Sequence, residues 1–122
     1  AKYGDEVPDP LERQTAQSAT LDWGERHGAP GARRLALVRE LLAIRRREIV
    51  PRLHGAHFGA AQAADNGLIT AHWRLGGGTT LSLTANLSDQ DLATVPAANG
   101  TSIWGGALSA SMPAWSVRWH IG

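Results

Sequence analysis

The chain has no cysteine, and its acids, histidines and tryptophans are the first candidates for chemistry. Hydrolysis of a glycosidic bond needs two carboxylates flanking the scissile bond, one of them held protonated by its surroundings. Asp5, Glu6, Asp9 and Glu12 crowd the start of the chain, and Asp89 and Asp91 share a turn. Neither group sits among residues that would bury a carboxyl, so both read as solvated loop charges. No catalytic residue is assigned. His54 and His57 lie three apart and could share a metal ion, but zinc takes three or four ligands and no third accompanies them. They read as surface histidines. Without cysteine there is no disulfide and no thiolate zinc site, and neither a metal nor another cofactor is expected.

The five tryptophans carry the remaining chemistry, because an indole face stacks well on a sugar ring. Trp73, Trp115 and Trp119 fall on the apolar side of alternating segments, which makes packing their expected role. Trp104 stays undecided between packing and display. Arg45-Arg46-Arg47 closes a helical pattern, where positive charge suits the negative end of the helix dipole. Asn86-Leu87-Ser88 and Asn99-Gly100-Thr101 match glycosylation sequons, but without a secretory signal they carry no weight.

Charge divides the elements that must position these groups. Residues 1–54 hold ten of the twelve Lys and Arg and eight of the eleven Asp and Glu. After residue 54 only Arg74, Arg118, Asp65, Asp89 and Asp91 remain among Gly, Ala, Ser and Thr. The net charge of +1 gives no general pull toward nucleic acid. No apolar run approaches the length that spans a bilayer, and no signal peptide is visible. The expectation is a cytoplasmic chain without membrane or nucleic-acid partners.

Residues 1–30, with Pro8 and Pro10, read as an irregular arm with one helical turn around Leu21-Asp22-Trp23. Residues 31–50 read as an amphipathic helix between Pro30 and Pro51. Leu35, Val38, Leu42 and Ile49 form one apolar row, and Leu37, Leu41 and Ile44 an adjoining one. So wide a face predicts a partner surface. From residue 51 the period becomes two. Segments 68–75 and 81–87 alternate around Gly76-Gly77-Gly78, 56–64 precedes them, and 115–121 closes the chain. Shorter strands are expected at 92–95 and 102–104. The fold class is mainly β with an N-terminal helix: a small antiparallel β-sandwich over residues 51–122.

Particular words in this order resemble the carboxyl end of maltooligosyltrehalose trehalohydrolases, within the α-amylase superfamily. Pro8-Asp9-Pro10 followed by Thr20-Leu21-Asp22-Trp23 is similar to a family stretch ending in Leu-Asp-Trp. Leu41-Leu42-Ala43-Ile44-Arg45-Arg46-Arg47-Glu48 resembles the last barrel helix, and Pro113-Ala114-Trp115-Ser116-Val117-Arg118-Trp119 the closing strand. The helix word is shared across the superfamily, and debranching enzymes remain alternative parents. The resemblance implies that the arm follows the eighth strand of a TIM barrel and that the sandwich is its accessory domain. The catalytic carboxylates would then follow earlier strands, upstream of residue 1, while Asp22 and Trp23 would lie near substrate.

The function expected is the non-catalytic C-terminal part of a glycoside hydrolase whose parent releases trehalose. A free-standing carbohydrate-binding module and a structural or assembly domain are the alternatives. The partner is the rest of the barrel, or a second copy met through Leu37, Leu41 and Ile44. A maltooligosaccharide is the small molecule to consider.

Overall fold

A computed structural model describes residues 9–97, 99–106 and 109–122. Asp5, Glu6 and Pro8 of the sequence reading lie outside the described residues. The chain forms two compact units, Ala1–Arg39 and Glu40–Gly122.

In the first unit the arm holds more helix than its composition suggests. The Asp9 side chain accepts from the Leu11 amide at 2.9 Å, and α1 (Arg13–Ser18) follows. A 3₁₀ turn occupies Trp23–His27. Helix α2 (Ala29–Ile44) begins with Pro30 in its first turn, where a missing N–H breaks no hydrogen bond. A side chain on Gly31 would collide with the Glu25 carbonyl, so glycine lets the 3₁₀ turn lie against the start of α2.

The α-helical ladder stops at Ile44, short of the expected 50. A π-helical turn (Arg45–Ile49) and a 3₁₀ turn (Val50–Arg52) replace the last part. Pro51 explains the change. Its ring cannot coexist with an ordinary α-turn over the carbonyl four residues back, and it has no N–H to give. Glu48 is held there by Arg47 at 2.7 Å and by Arg52 at 3.8 Å.

The second unit is built on one antiparallel sheet of β1 (His57–Ala63), β2 (Leu68–Arg74), β3 (Thr80–Asn86), β4 (Thr101–Trp104) and β5 (Ser116–Ile121). Its order is β1-β2-β3-β5-β4. The mainly-β class with a preceding helix, and the hairpin read from the alternation, are what the structure contains. Gly77 and Gly78 make the β2–β3 turn with φ of 71° and 81°, values that a side chain would oppose.

Register assigns the two faces. Ala71 pairs with Leu83 and Leu83 with Trp119; Ile69 pairs with Ala85 and Ala85 with Val117. These residues, with Trp73 and Leu81, make the apolar face. The opposite face carries Thr70, His72, Ser82, Thr84, Asn86, Arg118 and His120, which alternation alone would send to water. Instead Thr84, Asn86, Arg118 and His120 are buried. Among the described residues, 87–97, 99–100, 105–106 and 109–115 supply the second layer over them. Leu92 and Met112 form a two-way backbone bridge, and the Val95 amide donates to Ala110. The expected strand at 92–95 is thus a single bridge within a strap.

Trp115 departs from expectation. It precedes β5 with a left-handed φ of 50°, and it is 70% exposed. The backbone reversal breaks the alternation that would have placed it beside Val117 and Trp119.

Candidate functional site

Asp22 and Trp23 sit together at the head of the 3₁₀ turn. The Asp22 carboxylate accepts from the Gly24 amide at 2.7 Å, so one of its oxygens caps the turn. Trp23 is 70% exposed. With Leu21, Arg34, Leu35 and Val38 it lines an open groove of the first unit. An exposed indole beside an aliphatic wall and a guanidinium is chemistry suited to the face and rim of a sugar.

The other carboxylates are occupied or exposed. Asp9 accepts from the Leu11 amide in the turn before α1, Asp91 accepts from the Ala114 amide at 2.9 Å, and Glu48 pairs with two arginines. Glu12, Glu25, Glu40, Asp65 and Asp89 face water. No two of these share a buried cleft that would keep one protonated. His54 and His57 are both exposed, and among the described residues no three His, Asp or Glu are grouped to hold a metal.

In the second unit the apolar face gathers aromatic residues. Trp73 stacks on Trp119 with centroids 5.7 Å apart, and Phe58 meets Trp73 edge-on at 6.1 Å. Trp104, undecided from sequence, pairs with Trp119 across β4 and β5. It lines a cavity of about 290 Å³ with Leu41, Ile44, Ile49 and Leu81. The helix end therefore leaves space above this face. Phe58 stays 58% exposed and Leu53 44%. Together they form a contiguous apolar surface of the kind that marks an interaction site.

The residues sequence reasoning missed are on the opposite face. Asn86 is fully buried and joins three stretches of chain. Its amide donates to the carbonyls of Gln90, Met112 and Pro113, and its oxygen accepts from the Ser88 hydroxyl at 2.7 Å. Arg118 donates to the Ser109 and Ser111 carbonyls at 2.8 and 2.6 Å. His120 is 1% exposed, and among the described residues neither ring nitrogen has a hydrogen-bond partner. Burial first, and then the charge of Arg118, hold its pKa below the usual histidine range. The one available signal was the long connection between β3 and β5, interrupted by only a short strand.

Among the described residues no helix is long and apolar enough to cross a membrane. Comparison with known proteins bears on both faces of the second unit. A family described as a domain of unknown function, DUF3459, matches residues 56–119. That domain is a C-terminal domain of α-amylase-family enzymes. The chain is also 47% identical over 51 residues to a malto-oligosyltrehalose trehalohydrolase of Deinococcus radiodurans. The matched stretch is 42% of this chain and 8% of that relative, so only a small part of its length is represented. No solved structure matches. The homology supports the C-terminal portion that the sequence resembles, and a glycoside-hydrolase-related domain.

Proposed function

We propose a function from one premise: the chain belongs to the DUF3459 family. It acts as the non-catalytic C-terminal part of a glycoside hydrolase. The parent is a trehalohydrolase, which cuts the α-1,4-glucosidic bond next to the terminal trehalose of a maltooligosyltrehalose. The observation that carries this reading is the employment of the carboxylates among the described residues: three cap turns or loops, one is ion-paired, and the other five face water. Acid catalysis of glycoside cleavage asks for an uncommitted, desolvated partner to a second carboxylate.

The chain's contribution is apolar cover for the parent barrel. Leu35, Val38, Leu41 and Leu42 on α2 are each at least 39% exposed, which is a large apolar display for a finished surface. The rest of the barrel is its partner, or a second copy through the row Leu37, Leu41 and Ile44. Asp22 and Trp23 lie near the maltooligosaccharide in the parent. The absence of cysteine fits a reducing compartment, and the cytoplasm is the proposed location.

The test is direct. Purified chain incubated with maltooligosyltrehalose releases no trehalose above a buffer blank. Release that substitution of any Asp or Glu in this chain abolishes would overturn the reading.

A further inference from the structure

The sheet face under the strap gathers basic side chains. Residues 57–122 contain two arginines, Arg74 and Arg118, and both belong to this face, as do His72 and His120. The three carboxylates of the same stretch, Asp65, Asp89 and Asp91, lie in turns instead. Register arranges the groups in rows. His72 is opposite Ser82, Ser82 opposite His120, and His120 opposite Ser102; the next row is Thr70, Thr84, Arg118. Basic side chains and hydroxyls share these rows across the sheet.

Two basic members of these rows are buried beneath the strap. Arg118 is 8% exposed, and its hydrogen bonds go to two neutral carbonyls. Among the described residues no carboxylate pairs with it. His120 is buried, and both its ring nitrogens are unpartnered among the described residues. They line a cavity of about 330 Å³ together with Thr84, Val95, Pro96 and Ala110. Burying a guanidinium without a counter-charge is costly, and so is leaving an imidazole without partners. A water molecule would serve the imidazole but leave the guanidinium charge unanswered. A cation is repelled. An anion answers both.

We propose that this cavity binds a small oxyanion group, phosphate or carboxylate, which accepts hydrogen bonds from Arg118, a His120 ring N–H and the Thr84 hydroxyl. Arg offers donors in a planar fork matched to either group. The outer walls, Val95, Pro96 and Ala110, suit a short carbon skeleton attached to it. The proposal stands apart from the accessory role, since it concerns the face opposite the exposed aromatic residues.

The experiment titrates the full chain with inorganic phosphate and, separately, with acetate, against chloride at matched ionic strength. The His120 imidazole nitrogens are followed by NMR beside the thermal midpoint. One of the two anions shifts the His120 resonances saturably, leaves exposed His54 unmoved, and raises the midpoint along the same isotherm. A response to phosphate alone assigns a phosphoryl ligand, and a response to acetate alone a carboxylate. His120→Phe keeps the apolar packing and weakens binding about tenfold, the worth of one hydrogen bond to a charged group. Should that variant fail to fold, the resonances of the unsubstituted chain decide. His120 resonances that answer neither anion, or that move only as His54 moves, overturn the site. So does affinity unchanged by His120→Phe.

Discussion

Trp115 and Trp119 are four residues apart in sequence, and their surroundings differ completely. Trp119 stacks on Trp73 in a half-buried cluster, while Trp115 stands 70% exposed on a left-handed backbone. Trp119→Ala is therefore expected to cost about 2–3 kcal/mol, below the 3–5 kcal/mol for emptying a fully buried aromatic site. Trp115→Ala should change stability by less than about 0.5 kcal/mol, as for most surface positions. Denaturant midpoints of the two variants check this, and equal losses would contradict the placement. The alternation in 115–121 made Trp119 legible from sequence, because strand period fixes which face a residue takes. It misled for Trp115 because φ of 50° precedes the strand, and no residue type there announces a reversal. For Arg118 and His120 it gave the correct face. It could not say what covers that face, since a strap of loops has no period to read.

At the level of elements, the strap depends on Asn86 more than on its own single bridge. The Asn86 amide satisfies three carbonyls from residues 90, 112 and 113, all near a buried methionine. Asn86→Ala would remove the buried amide that ties these stretches together, at about 1–2 kcal/mol. Each carbonyl keeps one other donor: Ser88 Oγ for Gln90, the Leu92 amide for Met112 and Ser116 Oγ for Pro113. The loss should be local. Amide hydrogen exchange at Leu92, Val95 and Met112 is expected to accelerate, while the β2–β3 ladder keeps its protection. Acceleration spread evenly over β2 and β3 would show that the strap and the sheet open as one. The strands themselves were easily read, with ends within about two residues, because Gly and polar turns bracket each alternating run. Helix α1 was hidden by its flanking prolines and polar composition, and the π-helical turn by a sequence that favours ordinary helix up to Pro51.

For the whole molecule, the issue is apolar surface left uncovered. Leu41 and Leu42 on α2 are 39% and 45% exposed, and no single row of that helix accounts for both. Light scattering over a concentration series should show the isolated chain self-associating, and Leu41→Glu should return it to monomer. A strict monomer whose Leu41→Glu variant is equally soluble and stable would leave the covering-surface argument without support. Breadth of the apolar face was legible from spacing alone. What covers it was not, because residues that meet a partner and residues that meet a core share one pattern.

The chain holds a single sulfur atom, the thioether of Met112, and it is completely shielded where the strap crosses the sheet. Peroxide attacks a thioether only where it can reach it, converting it to a polar sulfoxide. Met112 is thus a built-in clock for strap opening. Each molecule whose Met112 has gained one oxygen has lifted that layer at least once. A layer relaid over the sulfoxide would have to seat a polar group where an apolar one had packed, so the chemistry records an opening and then hinders its reversal.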